Sequence, residues 1–192
     1  MSISRPLTAG EITLAKSVFG DSIDYTTVKV SDGRYLPTQP FNTAMTSLDG
    51  KLYMNNLYRA DYATESAEDK GLFIHEMTHV WQGQNKVMNQ VAAVAGLMLK
   101  HNFNYNAAYP FLLDAGKDLT DYGLEQQASI VQEYYIVKRA GMASHRRHCE
   151  NTCSNDEKIK LYEKVLEKFL KNPGYARRDR FPSIFKINPP KP

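Results

Sequence analysis

The segment Gly71-Leu72-Phe73-Ile74-His75-Glu76-Met77-Thr78-His79-Val80-Trp81-Gln82 contains His-Glu-x-x-His. An α-helix repeats every 3.6 residues, so side chains four positions apart rise from one face, a turn apart. His75 and His79 on such a helix bring two imidazole nitrogens within reach of a single Zn²⁺ ion. Glu76, beside the first histidine, is placed to take a proton from a water that the metal acidifies. The chemistry is hydrolysis, foremost of a peptide bond. Leu72, Phe73, Ile74, Val80 and Trp81 flank the motif with apolar side chains. They predict a buried or half-buried helix, as a dry metal site requires.

Two imidazoles do not complete a catalytic zinc site; a third protein ligand is needed, with one position kept for water. A third histidine in the metzincin arrangement would fall at 85, after a glycine at 82, and the chain has Gln82 and Asn85 there. That disfavours the metzincin branch and points to a carboxylate from a later helix. In Asp121-Tyr122-Gly123-Leu124-Glu125-Gln126-Gln127-Ala128 the first choice is Glu125, in the opening turn of a predicted helix. The small Ala128 one turn on permits close approach to the first helix. Glu133, Asp121 and His101 are the alternatives, in that order. Candidates to stabilise the oxyanion of a tetrahedral intermediate are Tyr122, Tyr134, His145 and His148. Cys149 and Cys153 are close enough in sequence for a small disulfide loop, and reduced thiols fit the spacing equally well. Four soft ligands lie between 145 and 153, but Arg146-Arg147 and the lack of a paired knuckle favour a solvent loop over a structural zinc.

The elements that must hold these residues follow from capping and turn signals. Thr8-Ala9-Gly10-Glu11 has the form of a capping box, predicting a helix to about Phe19 that stops at Gly20. Two hairpins are expected next. One joins Tyr25–Val30 to Arg34–Leu36 across Asp32-Gly33, and the other joins Thr43–Leu48 to Lys51–Met54 across Asp49-Gly50. Ser66-Ala67-Glu68-Asp69 caps the motif helix, which Gly83 and Asn85 can end. Further helices are predicted at about 88–100, 123–140 and 156–171, the last opening at Asn155 or Asp156. The order defines an α+β domain, a small antiparallel sheet followed by a mainly helical part, over residues 1–180. A proline-rich tail, 181–192, follows and reads as extended or disordered.

Composition narrows the function classes. The 192 residues, 42% hydrophobic and 23% charged, are enough for one domain with its own core. A net charge of +3 is too small to argue for a nucleic-acid partner. No run of about 18 apolar residues is present, and Met1-Ser2-Ile3-Ser4-Arg5-Pro6 lacks the apolar core of a signal peptide. Membrane insertion is not expected.

His75-Glu76-x-x-His79 followed by Glu125-x-x-Ala128 resembles the gluzincin pattern, with Leu124 where Asn often precedes the glutamate. Three segments carry a closer likeness: Arg5-Pro6-Leu7-Thr8-Ala9-Gly10-Glu11, Ser17-Val18-Phe19-Gly20-Asp21-Ser22-Ile23-Asp24 and Phe73–Gln82. They resemble the metallopeptidase domain at the carboxyl end of some type VI secretion spike (VgrG) proteins, and the likeness runs to about Tyr135. It implies a zincin-like fold, one catalytic zinc ion, and an antibacterial effector toxin. Such an effector leaves the cell without a signal peptide, carried by a VgrG spike, and acts in the target-cell periplasm. A peptide or protein substrate and a cognate immunity protein are implied as partners. By analogy with zincins, Lys51 to Asn55 is the strand expected to line the cleft. A housekeeping zinc aminopeptidase, and a zinc-organised module that docks to a spike without catalysis, are the competing readings.

Overall fold

The computed structural model describes residues 3–89, 108–139, 148–152 and 154–179. Most of the expected helix at 88–100, together with His101, His145, Cys153 and the tail 181–192, lies outside them. The described chain is α+β, with short strands and one helix in its amino-terminal third and mainly helices after them.

Four strands, β1 (Ser4–Pro6), β2 (Lys29–Ser31), β3 (Thr43–Thr46) and β4 (Lys51–Asn55), form one sheet in the order β1-β2-β4-β3. The hairpin across Asp49-Gly50 forms as expected. β3 and β4 pair antiparallel, Thr46 opposite Leu52, and Gly50 takes the left-handed φ of 80° that only glycine adopts without cost. The hairpin across Asp32-Gly33 does not form, and the sheet is mixed rather than antiparallel. Asp24 caps Thr26 and winds Tyr25–Thr27 into a 3₁₀ turn, so only Lys29–Ser31 remains extended. Asp32 then exchanges hydrogen bonds with Ile3, which draws β2 onto β1. The other edge of β2 lies parallel to β4, Val30 opposite Leu52. β4 is therefore interior. The outer strand beside the motif helix is β3, which corrects the expectation that Lys51 to Asn55 lines the cleft.

Helix α1 (Ala9–Phe19) opens with the predicted capping box: Thr8 Oγ1 accepts from Glu11 N–H, and Glu11 returns the bond to Thr8 N–H. The fully buried Glu11 carboxylate also accepts two bonds from Arg5, at 2.7 and 2.8 Å, and one from Tyr62 N–H. It thereby ties β1 and α1 to the turn that leads into α2 (Ala67–Gln84). α2 is capped by Ser66 and ends at Asn85, as predicted. Its run from Phe73 to Gln82 is buried throughout, and Trp81 packs edge-on to Phe169 at 5.2 Å. Burial of such side chains contributes about 1.5–3 kcal/mol each.

Helix α3 (Leu124–Tyr134) packs along α2 and continues as a π-helical turn, Tyr135–Arg139, inside the predicted 123–140. The approach is close at Gly71, where a Cβ would stand 2.5 Å from Ile136 Cδ1. The last predicted helix is broken at Leu166 into α4 (Asn155–Val165) and α5 (Glu167–Lys171), and its cap is Ser154, in a box with Glu157. Among the described residues no helix is long and apolar enough to cross a membrane.

Candidate metal centre

One helical turn separates His75 from His79, and their rings stand 5.0 Å apart at 81°. α3 presents Glu125 to both from its first turn, where the chain enters through Gly123, and the fully buried Ala128 follows at the next turn. Glu125 Oε2 lies 3.3 Å from Nε2 of His75 and 3.3 Å from Nε2 of His79. Three ligand atoms, one from each residue, all fall within 4.8 Å of one another, and all three residues are buried. Of the three expected third ligands that lie among the described residues, Glu125 is the one brought to the histidines. Glu133 instead receives the Tyr162 hydroxyl at 2.9 Å and the His148 N–H at 2.6 Å. Asp121 is exposed and caps Asp118 N–H. His101 lies outside the described residues.

The outer ring nitrogens have partners as well. Nδ1 of His75 lies 3.0 Å from Gln132 Oε1, and Nδ1 of His79 lies 2.8 Å from Gln82 Oε1. Glu76 Oε2 accepts from Thr46 Oγ1 at 2.7 Å, and the same hydroxyl reaches the Glu76 carbonyl at 3.1 Å. The outer strand β3 thus fixes the carboxylate next to the histidine pair.

The electrostatics reflect this crowding. Burial acts to lower the pKa of His79, but the charge and hydrogen bond of Glu125, with the Glu76 charge behind, push it up to about 9. For Glu125, burial acts to raise the pKa. The two histidines prevail and hold it well below the usual carboxylate range. Two imidazole nitrogens and a carboxylate oxygen turned toward one buried point favour a positive charge between them. A proton on His79 supplies it in the metal-free protein. A Zn²⁺ ion would supply it better, because two nitrogens and one carboxylate oxygen are the protein ligands of a His₂Glu zinc site.

The expected oxyanion donors divide clearly. Tyr122 is occupied: its hydroxyl donates to Leu112 C=O and accepts from Asp114 N–H. Tyr134, nine positions beyond Glu125, faces the opposite side of α3 and lines a small cleft with Val18, Leu166 and Phe169. His145 lies outside the described residues. His148 lies tilted against Tyr109 at 5.2 Å, and Tyr109 stacks on His75 at 5.9 Å. The wall they form is fixed by a bridge between Phe111 and Cys149 and by Glu133. The Cys149 thiol is buried and donates to Asn151 Oδ1 at 3.4 Å. Its pairing with Cys153 falls outside the described residues.

Four contributors escaped sequence reasoning: Thr46, Gln82 as a histidine partner, Gln132 and Tyr109. Gln82 lies three positions after His79 and Gln132 seven after Glu125, spacings that place each on the site's face of its helix. Thr46 and Tyr109 arrive from distant segments and leave no local signal.

The fold and the cluster together define an α+β domain with a buried His-His-Glu centre between two helices. No family model matches the chain. It is 45% identical over 136 residues to the type VI secretion system spike protein VgrG2b of Pseudomonas aeruginosa, which is 70% of this chain and 13% of that protein. The chain therefore spans a small part of the spike protein's length. The solved effector domain of Pseudomonas aeruginosa VgrG2b matches with a TM-score of 0.63 and 36% identity, covering 86% of this chain and 81% of that domain. The chain belongs to the family of the VgrG2b effector domain, the VgrG-associated effectors of type VI secretion.

Proposed function

We propose that the protein is a zinc-dependent metallopeptidase with a zincin-like fold, working as an antibacterial type VI effector in the periplasm of a target cell. The observation that carries this reading is the convergence of His75 Nε2, His79 Nε2 and a Glu125 oxygen beside an oriented Glu76. Kinship with the VgrG2b effector domain supports the delivery route.

His75, His79 and Glu125 would hold the ion. Zinc, when bound, supplies Lewis acidity that polarises a carbonyl and lowers the pKa of water. Glu76 is the general base: Thr46 orients its carboxylate through Oε2, and the carboxylate takes the proton of the attacking water and returns it to the leaving amine. β3 pairs with β4 along one edge, and its other edge offers backbone groups to an extended peptide. His148, held beside His75 through Tyr109, is the donor we assign to the developing oxyanion. A VgrG spike as carrier and a cognate immunity protein as inhibitor complete the reading.

The test is export of the chain to the periplasm of a susceptible bacterium, with zinc content measured on the purified protein. Wild type should arrest growth, and Glu76→Ala should lose toxicity while keeping one zinc per chain. Full toxicity of Glu76→Ala would overturn the catalytic assignment.

A further inference from the structure

Two amide side chains stand behind His79, and their hydrogen bonds run in one direction. Gln127 Nε2 donates to the Tyr122 carbonyl at 2.7 Å, so the other end of that amide, Oε1, is turned toward Gln82. Gln82 Nε2 donates to Gln127 Oε1 at 3.0 Å and to the Leu124 carbonyl at 3.0 Å. Both of its protons are then used by acceptors that cannot reverse. Gln82 Oε1 is left facing His79 Nδ1 at 2.8 Å, and a carbonyl oxygen can only accept. Nδ1 must therefore carry a hydrogen whether the ring is charged or neutral, so the neutral ring that a metal needs has its lone pair on Nε2, the nitrogen turned toward Glu125.

We propose that Gln82 and Gln127 form a relay that fixes His79 in the metal-binding tautomer, with its direction set by the backbone carbonyls of Tyr122 and Leu124. This rests on the reading of His75, His79 and Glu125 as a zinc site. The relay starts in the three residues before Glu125, so the turn that delivers the third ligand also sets the tautomer of the second. Both amides are fully buried, and no water is needed to complete the chain of bonds. Gln82 and Gln127 are positioning residues: they touch His79 or each other, never the substrate.

Gln82 is also specified against its charged counterpart. A carboxylate at 82 would still accept from Nδ1–H. It would, however, set an oxygen against Gln127 Oε1 and the Leu124 carbonyl, acceptor against acceptor in a dry site. Loss of such an outer partner lowers metal affinity about 10- to 100-fold.

The experiment uses the full chain, stripped of metal, with Zn²⁺ affinity measured by competition against a chromophoric chelator. Gln82→Met should bind zinc about 10- to 100-fold more weakly than wild type. Gln84→Met, whose amide on the same helix bonds Asp24 and Thr27 instead, should bind as wild type does. A measurement that needs no variant accompanies it: long-range ¹H–¹⁵N correlation of zinc-loaded wild type, expected to show His79 protonated at Nδ1. Equal affinity of Gln82→Met and wild type, or His79 protonated at Nε2, would overturn the relay. Failure of wild type itself to bind zinc would instead overturn the metal site on which it rests.

Discussion

Loading zinc into the stripped protein should displace about one proton from His79. The burial and partners described above push its pKa up to about 9, so at pH 7 nearly every metal-free molecule carries that proton. An imidazole with the ordinary pKa of about 6.5 would carry roughly a quarter of one at the same pH. Coordination needs the neutral ring. Calorimetric titration at pH 7 in buffers of different ionisation enthalpy should therefore report about one proton released per zinc through His79, and apparent affinity should rise about tenfold per pH unit up to pH 9. The sign for stability runs the other way. A folded-state pKa raised from 6.5 to about 9 contributes about 3 kcal/mol to the metal-free protein. That contribution is fully present below pH 6.5 and is lost as pH rises through 9. Glu125, held low by the same contact, shows the acid side: its contribution is present above the ordinary carboxylate pKa and is lost as pH falls through the folded value. The melting gap between zinc-loaded and stripped protein should thus widen from pH 6 to pH 9. Release near a quarter of a proton, or affinity independent of pH, would refute the pairing of His79 with Glu125.

Three substitutions probe other parts of the account. Thr46→Val removes the hydroxyl that orients Glu76, a bond to a charged acceptor worth about 1.5–3 kcal/mol. Toxicity after periplasmic export should fall steeply while zinc content, read by atomic spectroscopy, stays at the wild-type value. Gly71→Ala places a Cβ 2.5 Å from Ile136 Cδ1 in a fully buried contact, and should cost about 1–3 kcal/mol in a denaturant titration. Gly71→Ala combined with Ile136→Ala should recover part of that loss. Glu11→Ala leaves Arg5 and the N–H groups of Thr8 and Tyr62 without their acceptor, and should lower unfolding free energy by about 3–5 kcal/mol in the same titration.

What the sequence made legible is local. His75 and His79 share a face because four residues carry the helix just past one full turn, and the Thr8 and Ser66 caps act within three positions of themselves. Glu125 could be chosen because a carboxylate in a first helical turn, followed by a small residue, has a short reach to a neighbouring helix. The Asp49-Gly50 hairpin was readable from a glycine that takes a positive φ. The parallel pairing of β2 with β4 was not, since its partners lie 22 positions apart (51 − 29) with no turn signal joining them. Asp32-Gly33 misled because a capping aspartate at 24 and the backbone of Ile3 compete for the same segment. Thr46 and Tyr109 reach the site only through tertiary packing. Their residue types carried no mark of it.

Anomalous diffraction at the zinc edge, on crystals of the full chain grown with one equivalent of Zn²⁺, tests the central claim most directly. One peak is expected, about 2.0–2.2 Å from Nε2 of His75, Nε2 of His79 and a carboxylate oxygen of Glu125. A peak held by some other group in place of Glu125, or no peak between the two helices, would contradict it.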